Sequence, residues 1–290
     1  MRLFIVNPVS GNRRGKEVWL FLQQYLIMNR IPYSVEFTEK PGHAREIACH
    51  AASRSDIKAV IVVGGDGTLH EVGNALVHTD IPVGYIPAGS ANDFALAQKI
   101  SFDPEQALER ILNHQVRKVD TADFGGRKMI SFMGVGFDGA VAEAVNGSSW
   151  KRWLRSSAYT WGVLKLLKSY QPTQISLNID GESFHYNDVW FIAITNIPNY
   201  AGGMKICPHA ADDDGQLDIC CVRDMSRSQL LRVFPSVYKG EHIDHPSITL
   251  HRGTEITIDS DTSLTIHADG EIIGKTPLSV SVRPQSLMIL

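Results

Sequence analysis

The sequence predicts an α/β fold: an N-terminal parallel-sheet domain over residues 1–120, followed by a β-rich, sandwich-like domain over residues 121–290. Two observations predict this division. Strand-like and helix-like segments alternate in the first domain, which is typical of a parallel sheet covered by helices. After Lys118, most segments are short strands separated by turns.

In the N-terminal domain, short apolar segments predict strands, and apolar residues at helical spacing predict helices. The segment AVIVV (59–63) is entirely apolar, as expected for a strand buried on both faces. Strands are predicted over 3–6, 33–38, 59–63 and 82–87, and helices over 14–29, 44–53, 69–78, 92–98 and 104–113. In the C-terminal domain, strands are predicted over 175–180, 189–195, 217–222, 255–260, 263–269 and 278–283, and helices over 138–146, 150–170 and 226–240.

Composition argues against several classes of protein. A formal net charge of −3 gives no basic field that would favour nucleic acid. The opening MRLFIVNP is too short for a secretory signal, and no apolar run approaches the roughly 18 residues of a membrane span. The four cysteines form no CxxC pair, so we expect reduced thiols. We therefore expect a cytoplasmic protein whose contact with a membrane is peripheral.

A glycine-rich turn, GGDG at positions 64–67, directly follows the predicted strand over 59–63. Glycines let the backbone approach a ligand, and the amino end of the helix that follows favours an anion such as phosphate. The alternative is a purely structural turn, in which Thr68 and Glu71 form a capping box.

Two further turns favour the phosphate-binding interpretation. NPVSGNRRGK (7–16) follows the first predicted strand, and PAGSANDFA (87–95) follows the fourth. All three turns are expected at the carboxyl ends of parallel strands, where open α/β sheets bind ligands. The spacing of Gly11, Gly15 and Lys16 differs from that of a Walker A loop, and no GxGxxG occurs. An ordinary P-loop or Rossmann site is therefore disfavoured.

The motifs NPVSG (7–11), TEKPGHA (38–44), GGDGTLHEV (64–72) and PAGSANDFA together resemble the diacylglycerol kinase catalytic-domain family. The similarity is greatest to its bacterial lipid kinases, which are related to sphingosine kinases, and it covers essentially the whole chain. GGDGT alone is shared with NAD kinases. The resemblance implies that ATP binds in a cleft between the two domains. The nucleotide-binding candidates in these motifs are Asn7, Ser10, Gly11, Thr38, Gly64, Gly65, Gly67, Thr68, Glu71, Gly89, Ser90 and Asn92.

An acidic run, DDDGQLD (212–218), precedes the predicted strand over 217–222. Its spacing differs from that of an EF-hand, and a solvated acidic turn is the simplest interpretation of the residues alone. The resemblance implies a Mg²⁺ site here, with the Asp214 carboxylate and the carbonyl groups of Ala211 and Gln216 as ligands. Magnesium bound to the nucleotide is a separate requirement of phosphoryl transfer.

A second candidate site is the turn formed by Asp269, Gly270 and Glu271. Asp-Gly is a strong signal for a tight β-turn, which is the structural alternative. The resemblance implies that Glu271 is the general base that accepts the proton of the acceptor hydroxyl. Asp66 is the competing base, because sphingosine kinases use the aspartate of GGDG. We favour Glu271 as the base, with Asp66 helping to arrange metal and phosphates.

The predicted helix over 150–170 is the candidate membrane-facing element. It contains three of the five tryptophans of the chain, several lysines and arginines, and no acidic residue. Tryptophan favours the membrane interface, and cations favour anionic headgroups. The alternative is a helix that packs its leucines and Trp161 in the core while its cations stay solvated.

The sequence thus predicts an ATP-dependent lipid kinase that acts at the inner face of the membrane. The expected acceptor is diacylglycerol, which would give phosphatidic acid, although other hydroxylated lipids stay open. One alternative is an NAD kinase-like enzyme that phosphorylates a soluble nucleotide. Another is a non-catalytic protein that binds nucleotide or lipid. A homodimer is left open as well.

Overall fold

The structure, a computed structural model, describes residues 1–113, 115–147 and 166–290. It confirms the predicted fold class: a parallel sheet is followed by an antiparallel, β-rich domain. The predicted helix over 150–170 lies largely outside the described residues. Within this range the structure describes residues 166–170, and 166–169 are helical.

The N-terminal domain is a parallel sheet with strand order β4-β3-β1-β2. Strands β1 and β3 are apolar and buried because helices cover both faces of the sheet. The strands are β1 (Arg2–Val6), β2 (Tyr33–Phe37), β3 (Ala59–Gly64) and β4 (Val83–Pro87). The helices are α1 (Arg14–Met28), α2 (His43–Ala52), α3 (Asp66–Leu76), α4 (Asp93–Ala97) and α5 (Pro104–Asn113).

The C-terminal domain begins with β5 (Arg117–Phe124), β6 (Arg127–Met129), β7 (Phe132–Gly136) and α6 (Phe137–Gly147). It continues with β8 (Thr173–Ile179), β9 (Glu182–Thr195), β10 (Asn199–Tyr200), β11 (Met204–Lys205), β12 (Leu217–Arg223) and α7 (Arg227–Val233). Two 3₁₀ helices follow, Phe234–Tyr238 and Glu241–Asp244. The last strands are β13 (Ile248–Gly253), β14 (Glu255–Ser260), β15 (Thr265–Ala268), β16 (Glu271–Lys275) and β17 (Leu278–Ile289).

These strands form two layers joined by the long strand β9. The first half of β9 pairs with β8, and its second half pairs with β7 and β12. One layer therefore has the order β13-β12-β9-β7-β15-β16, and the other runs β9-β8-β14-β17-β5-β6. Apolar side chains from both layers, such as Val135, Leu177 and Ile258, form a single core. This arrangement is a β-sandwich.

Two strands connect the domains. Val119 of β5 lies in the N-terminal core, whereas Phe124 of the same strand lies in the sandwich core. Likewise, Val280 of β17 packs in the sandwich, whereas Ile289 packs in the N-terminal core and pairs with Val83 of β4. The C-terminal strand therefore returns to the N-terminal sheet. Such shared strands fix the orientation of the two domains around the space between them.

Several sequence-based boundaries were wrong for identifiable reasons. Helix α3 begins at Asp66 rather than Leu69, so two residues of GGDG form its first turn. The helix predicted over 226–240 ends at Val233, and a 3₁₀ helix containing Pro235 follows. Proline removes a backbone donor and disfavours continuation of an α-helix. Strands β5, β6, β7, β10, β11, β13 and β16 were not predicted.

Candidate active site

The three glycine-rich turns meet at one edge of the parallel sheet. A Cβ atom added at Gly65 would lie 3.0 Å from the Gly89 Cα and 3.3 Å from the Ser10 Oγ. A Cβ atom added at Gly89 would lie 2.4 Å from the Gly65 Cα. The backbones of these turns can approach so closely only because both residues are glycine. We call this surface, formed by residues 7–11, 64–68 and 88–92, the glycine edge.

The turn after β1 is fixed to the same edge by a side chain. Asn7 Nδ2 donates a hydrogen bond to the Thr68 Oγ1 at 2.9 Å. Gly11 has a φ of 54°, and a Cβ atom there would lie 2.3 Å from the Ala88 carbonyl oxygen. Glycine is therefore required at this position for both conformation and space. Gly64, the last residue of β3, links the buried strand to the turn.

The turn after β4 is held by Asn92, whose side chain is buried. Its Oδ1 accepts hydrogen bonds from the Gly89 N–H at 2.8 Å and from the Tyr85 hydroxyl at 3.1 Å. Ser90 is exposed at the surface of this turn. Thr38 follows β2, and its N–H donates to a β1 carbonyl at 2.9 Å. The turns that carry the predicted nucleotide-binding residues therefore lie at the carboxyl ends of the parallel strands.

Asp66 and Gly67 form the first turn of α3, where backbone N–H groups lack intrahelical partners. A Cβ atom at Gly67 would meet no other atom within 4 Å, so this backbone faces open space. The Asp66 carboxylate accepts hydrogen bonds from the Asp93 and Phe94 N–H groups, both at 3.2 Å. Asp66 therefore holds the start of α4 beside the amino end of α3, and the amino end of a helix favours anions.

The alternative interpretation of Thr68 and Glu71 as a capping box is wrong. Because α3 begins at Asp66, Thr68 lies within the helix and accepts the hydrogen bond from Asn7. Glu71 instead accepts hydrogen bonds from the Gly42 N–H at 2.9 Å and the Ala44 N–H at 3.1 Å. Glu71, which lies on α3, thereby holds the start of α2. These hydrogen bonds join α2 and α3 at the wall of the cleft.

A cleft of about 630 Å³ lies between the two domains and is lined by residues of both. The N-terminal domain contributes Asp66, Gly67 and Glu71. The C-terminal domain contributes the Asp-Gly-Glu turn, including Glu271. Both predicted catalytic residues therefore line one space, next to the glycine edge.

Asp269 and Gly270 form a two-residue turn between β15 and β16, and Ala268 pairs with Glu271 across it. Their φ angles are 49° and 85°, a conformation for which Asp-Gly is favoured. The turn places the exposed Glu271 side chain at the cleft. Among the residues that the structure describes, none donates a hydrogen bond to its carboxylate. An exposed carboxylate that lines the cleft can accept a hydrogen bond from a ligand bound there.

The carboxylate of Asp269 anchors this turn to the rest of the domain. Its Oδ2 accepts a hydrogen bond from the Ile130 N–H at 2.8 Å. Its Oδ1 accepts two more, from the Ser131 and Phe132 N–H groups, both at 3.0 Å. Three charge-assisted bonds to one buried carboxylate give the turn a defined position. The hydrogen bonds of Asp269 therefore also position Glu271, which follows in the same turn.

His70 connects the two sides of the cleft. It lies on α3, and its Nε2 is 2.9 Å from the Ser131 Oγ, while its Nδ1 is 3.3 Å from the Asp269 carbonyl oxygen. The histidine is buried, so these contacts are shielded from water. The helix that follows the glycine turn is thus bonded directly to the Asp-Gly-Glu turn.

Asp93 makes a second connection between the domains. Its carboxylate accepts hydrogen bonds from the Gly202 N–H at 2.9 Å and the Gly203 N–H at 2.7 Å. Burial raises the pKa of Asp93, although the two N–H groups oppose the shift. Sequence reasoning missed Asp93, His70 and Asp269 as organising residues. Asp93 stands within PAGSANDFA, but its role depends on a loop more than 100 residues away, at Gly202.

The acidic turn after residue 210 lies apart from the cleft. Asp214 pairs with Arg252, and its Oδ1 accepts a hydrogen bond from the Gln216 N–H at 3.1 Å. The partly buried Ala211 precedes Asp212, whose carbonyl oxygen accepts the Asp120 N–H at 2.6 Å. The structure thus brings Ala211, Asp214 and Gln216 together in one turn, but not next to Glu271.

The donor chemistry of this turn fits a hard cation. Asp218 Oδ2 is buried and has no hydrogen-bond partner among the described groups, and burial raises the pKa of Asp218. Carboxylates outnumber the two arginines, Arg117 and Arg252, that pair with the turn. Such excess oxygen donors suit Mg²⁺. No cluster of three or more metal-ligating side chains occurs among the described residues, so a single-carboxylate site stays a prediction.

Comparison with known proteins defines the family. Residues 2–124 match the model described as the diacylglycerol kinase catalytic domain. Residues 131–290 match the model described as the YegS C-terminal NAD kinase beta sandwich-like domain. The chain therefore belongs to the diacylglycerol kinase catalytic-domain family, a family of kinases, and the predicted family is confirmed.

Individual relatives agree with this assignment. The diacylglycerol kinase of Mycobacterium tuberculosis (strain ATCC 25618 / H37Rv) is 30% identical over 265 residues, which cover 88% of this chain and 84% of the relative. The diacylglycerol kinase of Bacillus subtilis (strain 168) is 28% identical over 276 residues, covering 94% and 90%. A crystal structure of a diacylglycerol kinase from Bacillus anthracis str. Sterne superposes with a TM-score of 0.76 at 20% identity, covering 99% and 95%. This last likeness shows the fold.

No described helix combines the length and the apolar character needed to cross a bilayer.

Proposed function

We propose that this protein is an ATP-dependent lipid kinase, which transfers the γ-phosphoryl group of ATP to a lipid hydroxyl, with diacylglycerol as the acceptor and phosphatidic acid as the product. The observation that carries the proposal is the cleft in which Gly67 and Asp66 face the same space as Glu271. One wall offers backbone N–H groups suited to phosphate, and the other offers a carboxylate suited to a proton.

In the proposed reaction, each wall of the cleft has a separate role. The N–H groups at the start of α3 bind phosphate oxygens, and Asp66, which holds α4 in place, orients this wall. Glu271 accepts the proton of the acceptor hydroxyl. At the same time, the oxygen of that hydroxyl forms a bond to the γ-phosphorus. The bond between that phosphorus and the β-phosphate oxygen breaks, and ADP leaves. Magnesium bound to the nucleotide supplies charge neutralisation on the phosphates.

Glu271 is favoured over Asp66 as the base by its hydrogen bonds. Both Asp66 carboxylate oxygens already accept backbone N–H groups, at 3.2 Å each. Glu271 has no such donor among the described residues and is exposed in the cleft. A base must be free to reach the hydroxyl that it deprotonates.

A lipid acceptor is supported by a second, apolar cavity of about 180 Å³. It adjoins the cleft at Ala201, which lines both spaces. Apart from Asp138 and His242, its lining side chains are apolar or aromatic, including Phe137, Met204 and Val222. Such a wall suits a hydrocarbon chain and offers little to a soluble nucleotide. We infer that the enzyme works from the cytoplasm on the inner face of the membrane.

Radiolabelled ATP supplied with a panel of acceptors tests this function. The panel contains diacylglycerol, phosphatidylglycerol, a sphingoid base and a polyprenol in detergent micelles, together with NAD. We expect label in phosphatidic acid, separated by thin-layer chromatography, and none in NADP. Label in NADP alone would replace the proposal with an NAD kinase. No transfer to any acceptor, with normal ATP binding, would favour a non-catalytic role.

A further inference from the structure

The segment over 227–239, which comprises α7, the 3₁₀ helix after it and Lys239, exposes an apolar surface. Leu231, Phe234 and Tyr238 are 49%, 49% and 48% exposed. The rings of Phe234 and Tyr238 lie 6.1 Å apart, so the two aromatic side chains form one patch. Exposed apolar side chains that cluster in this way mark interaction surfaces more often than scattered ones do.

The inner face of the same segment forms a wall of the apolar cavity. Leu230, Val233 and Val237 line that cavity, as do Phe234 and Tyr238 themselves. One helical layer therefore separates the cavity from the outer patch, and two aromatic residues belong to both. A hydrocarbon chain outside the protein would have a short, apolar route to the space beside the cleft.

The charged residues around the patch indicate that its partner is negatively charged. Arg232 and Lys239 are exposed, and neither forms an ion pair with any described residue. No acidic residue occurs between Asp224 and Glu241. Cations that flank exposed apolar and tyrosine side chains are the combination that favours the interface of an anionic bilayer.

The segment is firmly attached to the domain. Arg227 Nε donates to the Leu167 carbonyl oxygen at 3.0 Å, and its Nη2 donates to the Tyr170 carbonyl oxygen at 2.9 Å. Ser226 and Gln229 form a capping box at the start of α7. The patch is therefore presented on a fixed scaffold, which limits the entropy lost on docking.

We propose that the surface formed by Leu231, Arg232, Phe234, Tyr238 and Lys239 docks on an anionic lipid bilayer. Its apolar residues enter the interface, its cations contact acidic headgroups, and the cavity behind it receives a lipid chain. The passage of a lipid to the cleft rests on the proposed lipid kinase function, whereas docking itself does not. The helix predicted over 150–170 stays a separate docking candidate, because it lies largely outside the described residues, whereas the exposure of 227–239 is visible only in the fold.

Sedimentation with vesicles of phosphatidylcholine and phosphatidylglycerol tests the proposal, in the absence of ATP. The triple variant Leu231→Asp/Arg232→Glu/Lys239→Glu avoids the cavity lining. We expect its affinity for these vesicles to fall roughly 30-fold or more, from the loss of two interfacial cations alone. Binding of the wild-type protein should weaken with added salt.

A matched control makes the same chemical changes at the amino end of the parallel sheet, away from the cleft. Met28 is 81% exposed, and Arg30 and Lys58 are exposed as well. The variant Met28→Asp/Arg30→Glu/Lys58→Glu should bind vesicles like the wild type. Equal vesicle binding by the two triple variants would overturn the proposal. Loss of wild-type self-association in the 231/232/239 variant, with unchanged vesicle binding, would assign the patch to a second copy of the chain instead.

A labelled cysteine provides a readout that does not depend on the triple variant folding. Cys49 is the exposed cysteine, whereas Cys207, Cys220 and Cys221 are buried. In a Cys49→Ser background, Leu231→Cys carrying an environment-sensitive fluorophore should shift to the blue on addition of the anionic vesicles. Met28→Cys in the same background should not. Equal responses at both positions would contradict docking through this surface, whatever the outcome of the kinase assay.

Discussion

Asp269→Asn tests the anchor that positions Glu271. Asparagine tolerates the positive φ of 49° at this position, so the change alters hydrogen bonding rather than backbone preference. Asp269 accepts three backbone N–H groups, from Ile130, Ser131 and Phe132. An amide keeps one acceptor oxygen and turns its NH₂ group towards at least one of these donors.

The expected cost follows from that geometry. One buried N–H left without an acceptor costs about 1–3 kcal/mol, and two bonds that lose their ionic partner lose about 1 kcal/mol each. Relief from burying a charge offsets part of this sum. We therefore expect the free energy of unfolding to fall by about 3 kcal/mol, and kinase activity to fall because the Glu271 turn loses its anchor.

Urea unfolding followed by circular dichroism measures this change. Asp259→Asn is the control, because Asp259 is exposed and its carboxylate accepts one N–H, from the adjacent Ser260 at 2.8 Å. We expect the control to stay within about 0.5 kcal/mol of the wild type. A loss below about 1 kcal/mol in Asp269→Asn, or an equal loss in the control, would refute the role given to this anchor.

Three further predictions concern nucleotide, metal and pH. Gly67→Val should fold normally, because a Cβ atom there meets no atom within 4 Å, yet it should weaken binding of a non-hydrolysable ATP analogue; unchanged affinity in isothermal titration would remove the phosphates from this turn. Asp214→Ala should reduce the rise in Tm that Mg²⁺ produces in the wild type, since a ligand stabilises the state that binds it, and equal shifts would exclude Asp214 as a ligand. Burial raises the pKa of Asp93 in the folded state above the ordinary value of an aspartate, so its contribution to stability is present at pH below that ordinary value and declines as pH rises through the raised pKa. Urea unfolding across this pH range should therefore show a steeper fall for the wild type than for Asp93→Asn; parallel profiles would contradict the shift.

The sequence was most informative where one physical signal dominates. Strands β1 and β3 are buried on both faces, so their apolar runs could be assigned without tertiary information. The glycine turns were recognisable because close backbone approach leaves few alternatives to glycine, as at Gly65 and Gly89. The Asp-Gly turn before Glu271 was predicted for a similar reason.

Other features depend on contacts between distant segments. Strand β5 crosses from one core to the other, so its polar and apolar residues follow neither domain's pattern. Asp66 was predicted to arrange metal and phosphates, but its hydrogen bonds to the start of α4 follow only from the packing of two turns. The same holds for His70, whose partners Ser131 and Asp269 lie on the other domain. Local patterns carry no information about such pairings.

The central claim is that Glu271 takes the proton of a lipid hydroxyl in a cleft whose other wall binds ATP. The most direct test compares Glu271→Gln with the wild type on diacylglycerol, with Glu255→Gln as an exposed, strand-initiating control. Glutamine preserves shape but cannot accept the proton. We predict that kcat/KM falls by about 10²–10⁴-fold in Glu271→Gln, with unchanged affinity for an ATP analogue and normal activity in the control. A variant that keeps more than about a tenth of wild-type kcat/KM, a loss below about 1.4 kcal/mol, would contradict the account and assign the proton to Asp66.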